Sequence, residues 1–321
     1  MFAIGTENLA AFAVTMAVGA VLALALGWFR CKKAGITPKR ILLATVLLPL
    51  FTAFFAHLLY CMVDLENTLY SYSFWHLFMF WQPGYMVYGG MLGVVLALVV
   101  AGGKERMNLL EQFAPSLALM IIAARLSEGM MGQGYGEYWF EEETFFCRFP
   151  FMVYDPEYEG WAWALFVLEA LVALVLLVIL LAKKKTWAGD GMLLLFGLYA
   201  AAQIVLESLR RDEFLRWGFV RVEEVFSGVV ILAVLICYCI KAGKGKMVQK
   251  SLCFTLFLVM AVLCLLLEFA TEGRIPFLLF LDVEQCYAVM AGACAVIAAC
   301  VLWMRSMGIS NAISSEKEQF V

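Results

Sequence analysis

What most limits the folds open to this chain is its series of apolar runs of about 18 to 22 residues, the length at which a helix crosses a bilayer. They lie at 8–29, 41–62, 85–103, 109–126, 161–182, 191–209, 222–240, 252–269 and 285–304. In hydrocarbon each backbone N–H and C=O must be satisfied within the segment, so the runs predict nine helices and an all-α polytopic membrane protein. Composition agrees, since 64% of the 321 residues are apolar and 15% charged, against roughly a quarter charged in a soluble domain. A net charge of −3 supplies no basic field for nucleic acid. Neither β alternation nor an internal repeat is visible between the runs. The first run reads as a retained span and not as a signal peptide, because residues 1–8 carry no basic side chain and Arg30, Lys32 and Lys33 follow it.

Lysine and arginine set the expected orientation. With the runs taken as spans, 16 of the 23 fall on one side, 6 on the other, and Arg125 within a span. The lysine-rich side is therefore read as cytoplasmic, with the N-terminus outside and the C-terminus inside. The outer side then carries loop 127–160, glycine-rich at one end and acidic at the other (Glu137, Glu141, Glu142, Glu143, Asp155, Glu157, Glu159). A second outer segment, 65–83, is aromatic and reads as a helix or loop lying at the membrane interface. The basic linker Lys241–Lys250 predicts two units, a seven-span domain over 1–240 and an appended two-span hairpin and tail over 241–321.

An ionisable side chain near the centre of a span costs about 2.5 to 3.5 kcal/mol, so polar residues within the runs point to a bundle interior or a wet cavity. These are His57 in span 2, Arg125 and Glu128 at the outer end of span 4, Gln203, Glu207 and Arg210 at the outer end of span 6, and Glu223 and Glu224 at the outer start of span 7. Arg125 and Glu128 are i, i+3 neighbours, and Gln203, Glu207 and Arg210 share one helical stripe, so both helices can present polar groups to one cavity. Two plainer readings stand beside this one: Arg210, Glu223 and Glu224 as helix-end residues reaching the interface, and His57 as a core histidine. Glycines add a second signal. Tyr88-Gly89-Gly90-Met91-Leu92-Gly93 suits close helix packing. The run Gly129-Met130-Met131-Gly132-Gln133-Gly134-Tyr135-Gly136 suits an irregular backbone lining a cavity. An arginine beside exposed backbone N–H groups suits phosphate, which a guanidinium grips bidentately. The ten cysteines lie mostly in apolar runs as small hydrophobes, and C-x-x-C and H-E-x-x-H are both absent, so no metal site is expected.

These residues resemble the bacterial prolipoprotein diacylglyceryl transferases, through spans 1 to 7 and about three quarters of the chain. The segment Gly84–Gly93 is similar to the family's glycine motif, with Tyr88 at a position held there by histidine or tyrosine. Glu111-Gln112-Phe113-Ala114-Pro115, Ala124-Arg125-Leu126 and Gly132-Gln133-Gly134-Tyr135-Gly136 resemble the stretch whose arginine is essential, and that arginine falls on Arg125. Leu198-Tyr199, Glu207 and Arg210 match a third motif, with Glu224 and Ser227 where the family has glutamine and serine. The chain departs at Phe12 (a tyrosine in the family), His57 (arginine), Glu128 (asparagine), Gln133 (glutamate) and Gln203 (a second essential arginine).

The resemblance implies a seven-helix transferase bundle in the bacterial cytoplasmic membrane. It implies transfer of the diacylglyceryl group of phosphatidylglycerol to the lipobox cysteine of a preprolipoprotein, with the signal peptide and the bilayer as partners and no cofactor. Such chemistry needs a deprotonated thiol, whose reference pKa is about 8.5, and stabilisation of the departing phosphate. The site residues carried over are Arg125 as phosphate clamp, Tyr88 as hydrogen-bond donor, Gly89, Gly90, Gly132 and Gly136 lining the substrate, Gln203 and Arg210 at the phosphate, and Glu207 orienting an arginine. Either His57 or Glu128 is the base. A diverged paralog that binds lipid or lipoprotein, or transfers another group, is the rival reading, favoured by Gln203. A small-solute transporter is disfavoured, since inverted repeats and midplane charges on broken helices are not seen.

Overall fold

The computed structural model describes residues 8–319 except 137, 141–144, 146, 156–158, 185, 212–214, 218–219, 244, 272 and 276–280. Its helices are α1 (Leu9–Lys33), α2 (Pro38–Val63), the short α3 (Leu65–Ser71), α4 (Val87–Gly102), α5 (Arg106–Met130), α6 (Leu165–Ala182), α7 (Asp190–Ser208), α8 (Val222–Lys241), α9 (Met247–Thr271) and α10 (Val283–Gln319). Each of the nine apolar runs falls largely on a helix. By length and apolarity, however, eight segments among the described residues can cross a membrane, because runs 85–103 and 109–126 belong to one stretch, Val87–Met130. That stretch is broken into α4 and α5 at Gly103, whose φ of 50° suits a residue without Cβ. Arg40 Nη1 donates to the Gly102 carbonyl at 2.5 Å and ties the break to α2.

Small residues set the closest helix pairs. Gly19 and Gly27 of α1 lie against Ala123 and Phe113 of α5, and Gly89 and Gly93 of α4 lie against the backbone of α2 at Phe55–Ala56 and Phe51, where a Cβ would collide. Hydrogen bonds from Asn8 N to Met130 O (2.9 Å) and from Arg30 Nε to Gln112 O (3.2 Å) mark the two ends of the antiparallel α1–α5 pair. The inner helix is α7, packed by α5, α6, α8 and α10, with Leu195, Tyr199 and Ala200 fully enclosed. Val14, Leu22, Val175 and Val229 are exposed on the outside of the bundle, as lipid-facing positions of a multi-pass membrane protein are.

Two expectations need correction. Loop 127–160 leads into a sheet: β1 (Tyr138–Phe140), β2 (Met152–Asp155) and β3 (Gly160–Trp163) form an antiparallel sheet in the order β1-β3-β2. A second pair, β4 (Arg216–Trp217) and β5 (Val220–Arg221), precedes α8. Strands of 2 to 4 residues are too short to show a period in sequence. The fifth apolar run consequently begins as β3, and its helix starts at Leu165, not at 161. Glu137, Glu141, Glu142, Glu143 and Glu157 of the acidic loop, and Lys185 and Lys244 of the charge count, lie outside the described residues.

Helices α9 and α10 pack on each other, and α10 also packs on α7 and α8. Arg305 grips Asp190 bidentately at the start of α7, with Nε to Oδ1 at 2.8 Å and Nη2 to Oδ2 at 2.7 Å. Lys183 reaches both Asp190 (3.1 Å) and Glu111 (2.6 Å), so the starts of α5 and α7, the end of α6 and α10 meet in one charged knot. The C-terminal pair thus shares the core of the first 240 residues.

A buried arginine and carboxylate cluster as the candidate active site

At the sheet end of the bundle, α5, α6, α7 and α8 converge on charged side chains. Arg125, one turn before the end of α5, is 4% exposed. Its Nε lies 3.0 Å from Glu169 Oε2 of α6 and donates to the Tyr199 hydroxyl of α7 at 3.1 Å, while Nη1 donates to Glu128 Oε2 at 2.9 Å. Nη2 is buried and has no hydrogen-bond partner among the described residues. A buried guanidinium nitrogen without an acceptor is the kind of donor that a ligand completes.

Arg210 is brought in from beyond α7 by backbone pairing: Gly136 forms an antiparallel bridge with it, and Arg211 N donates to Tyr135 O at 3.0 Å. Gly136 is required there, since a Cβ would meet Trp163 Cβ at 2.9 Å and Leu209 O at 3.1 Å. Arg210 pairs with Glu128, with Glu169 at 3.5 Å and with Glu207 at 3.8 Å. Arg221 extends the cluster to Glu207 (3.9 Å) and to Glu268 of α9 (3.4 Å), and donates to the Arg210 carbonyl at 2.5 Å. Gln203 Nε2 donates to Glu169 Oε1 at 2.9 Å. Glu223, buried on α8, has an Oε2 that accepts no hydrogen bond among the described residues. Three guanidiniums thus pair with Glu128, Glu169, Glu207 and Glu268, and mutual pairing is what makes so many buried charges tolerable.

The structure brings Arg125, Glu128, Gln203, Glu207 and Arg210 together. Tyr88 is placed at the edge: its hydroxyl bonds the Ser227 hydroxyl, and Ser227 donates to the Glu223 carbonyl at 2.8 Å. Gly89 and Gly90 face α2, at Phe55, Ala56 and Thr52, so their missing side chains serve helix packing. Gly132 takes a left-handed φ of 69° just after α5. Reading Gly136 as an open backbone donor for substrate needs correction, because its N–H is given to Trp163 O at 2.8 Å. His57 is buried on α2 with Nδ1 3.0 Å from the Gly84 carbonyl and Nε2 3.0 Å from the His76 carbonyl, and neither ring nitrogen contacts Arg125 or Glu128.

Sequence reasoning passed over Glu169, Arg221 and Glu268. The signal for the two acids was available, since each is the one charged residue in its apolar run, 161–182 and 252–269. Beside them lies a polar cavity of about 280 Å³ lined by Ser208, Arg216, Arg221, Glu268 and Tyr287, so the C-terminal pair contributes to the cluster's surroundings. Among the described residues one trio could hold a metal ion: His57, Cys61 and His76, with potential ligand atoms within 4.8 Å of one another.

Comparison with known proteins bears on this geometry. The family model for prolipoprotein diacylglyceryl transferase matches residues 1–240. Relatives named phosphatidylglycerol–prolipoprotein diacylglyceryl transferase, from Shewanella sp. strains ANA-3 and MR-4, are each 27% identical over 179 residues. Each match covers 53% of this chain and 64% of the relative's own length.

Proposed function

Since this chain belongs to the prolipoprotein diacylglyceryl transferase family, we propose that it transfers the diacylglyceryl group of phosphatidylglycerol to the lipobox cysteine of prolipoproteins. In this reading the N-terminus and the sheet lie outside a bacterial cytoplasmic membrane and the lysine-rich end lies in the cytoplasm. The observation that supports it most is the buried Arg125, whose Nη2 is engaged by no described residue while its other nitrogens are held by Glu128, Glu169 and Tyr199.

The thiolate sulfur attacks the glycerol carbon that bears the phosphate; a C–S bond forms, the C–O bond breaks, and glycerol phosphate leaves with the bonding electrons. Charge develops on the departing phosphate, so preorganised guanidinium donors lower the barrier. Arg125 and Arg210 supply them, Gln203 adds an uncharged hydrogen bond, and Glu169 and Glu207 orient the two arginines. Tyr88 stands beside Ser227 as a hydroxyl donor at the edge. Glu128 is engaged with both arginines and His57 with two carbonyls, so we assign the thiol proton to Glu223, whose buried Oε2 accepts no hydrogen bond among the described residues and which lies beside the Tyr88–Ser227 pair. The transferred group comes from the lipid, so the reaction calls for no cofactor.

A second reading, a family member that binds lipid or prolipoprotein without this transfer, is favoured by one observation: Glu128 occupies both guanidiniums that the phosphate needs, and Gln203 adds no positive charge. Incubating purified protein with phosphatidylglycerol and a lipobox peptide, with the thioether product read by mass spectrometry, separates the two. Wild type forms product, and Arg125→Ala and Arg125→Lys both fail, since an ammonium lacks the bidentate fork. Near-full activity of Arg125→Ala overturns the clamp, and product from Gln203→Arg alone supports the second reading.

A further inference from the structure

The chain has only two histidines, and the fold brings both to one cysteine. His57 and Cys61 lie one turn apart on α2, so their side chains share a face, and Cys61 Sγ is 3.4 Å from His57 Nε2. His76 comes from the 3-10 turn Phe74–Phe78 after α3, which packs against α2. Its ring stacks on Tyr72 with centroids 4.2 Å apart and planes inclined by 9°, and lies 5.4 Å from the His57 ring. We propose that His57, Cys61 and His76 form a zinc site that fastens the aromatic segment 64–86 to α2.

Two observations carry this. Zinc takes sulfur at about 2.3 Å and imidazole nitrogen at about 2.0 to 2.1 Å, so two such ligands at a tetrahedral angle are separated by about 3.5 Å. The sulfur and nitrogen already stand 3.4 Å apart. The Gly84 carbonyl, 3.0 Å from His57 Nδ1, would accept the proton of the tautomer that presents Nε2 to a metal, the usual outer support of a ligating histidine. Nε2 also lies 3.0 Å from the His76 carbonyl oxygen, a contact that zinc would displace.

Burial completes the case. His57 and Cys61 are 0% and 1% exposed, whereas His76 is half-buried, so the ion has a dry seat and a path in from one side. Cys61 releases its thiol proton on binding, and water fills the fourth position. Because Met86 N donates to Ala56 O at 3.1 Å beside His57, the clasp would also hold the entrance to α4, where Tyr88 lies within the glycine motif. The inference stands independently of the proposed transfer reaction, and its test needs no lipid substrate.

The test uses the full chain without a histidine tag, stripped and reloaded with zinc or cobalt in detergent. One zinc per chain should survive dialysis. The cobalt form should show the visible bands of a tetrahedral site together with a thiolate charge-transfer band, which is lost in Cys61→Ser. Cys61→Ser and His76→Ala should each weaken zinc by more than the roughly 10- to 100-fold that an outer-support change costs. His76 is half-buried, so its substitution remains informative should the Cys61 variant fail to fold. Zinc retention equal in wild type and His76→Ala, or a cobalt spectrum without the thiolate band, overturns the site and leaves His57 and Cys61 as a hydrogen-bonded pair.

Discussion

If the chain carries out the proposed transfer, Glu128→Asn should tighten phosphatidylglycerol binding, because in that reading Glu128 stands where the leaving phosphate needs room. Its carboxylate takes Arg125 Nη1 at 2.9 Å and also pairs with Arg210. A phosphate on Arg125 Nη2 would sit about 5 to 6 Å from it. At an effective permittivity of about 20, two like charges at that distance repel by about 3 kcal/mol, roughly 150-fold in affinity. The Glu128 side chain is 19% exposed and can swing away, so a gain of about 10- to 100-fold is expected. Asparagine keeps the size and the hydrogen-bonding capacity, and both arginines retain Glu169, at 3.0 Å and 3.5 Å, so the fold should survive. Lipid titration followed by native mass spectrometry reads the affinity, with a detergent melt as the folding control. A folded Glu128→Asn protein that binds the lipid no more tightly than wild type would refute the reasoning, since the carboxylate would then not compete with phosphate.

Glu169→Ala removes the buried ion-pair partner of Arg125 and the acceptor of Gln203 Nε2 at the cluster's most buried carboxylate; a loss of about 3 to 5 kcal/mol in denaturant unfolding is expected, and a loss under about 1 kcal/mol contradicts it. For topology, cysteines placed at Glu159 and Lys184, both exposed, should respond oppositely to an impermeant thiol reagent in intact cells, with Glu159→Cys labelled; labelling of Lys184→Cys reverses the orientation. Arg305→Ala removes the bidentate grip on Asp190, so hydrogen exchange along α10 should quicken, and unchanged exchange shows that apolar packing alone holds the C-terminal pair.

Span positions were legible in the sequence because a bilayer demands long apolar runs, and a run is a local property that no partner alters. Arg125, Glu128, Gln203, Glu207 and Arg210 were legible for a related reason: a charged or strongly polar side chain inside hydrocarbon is too costly to be incidental. Which carboxylate meets which guanidinium was not legible. Glu169 lies 44 residues beyond Arg125 and Glu268 lies 47 beyond Arg221, and only the packing of α6 against α5 and of α9 beside α8 brings each pair together. Gly136 and Gly89 show the same limit, since glycine's spacing is visible in sequence while its reason, a strand bridge in one case and a helix crossing in the other, is set by a neighbour. The meeting of His57 and Cys61 with His76 belongs to tertiary structure as well. One turn of α2 aligns the first two, but the third arrives only because the segment after α3 folds back onto that helix, a long-range contact that short motifs do not encode.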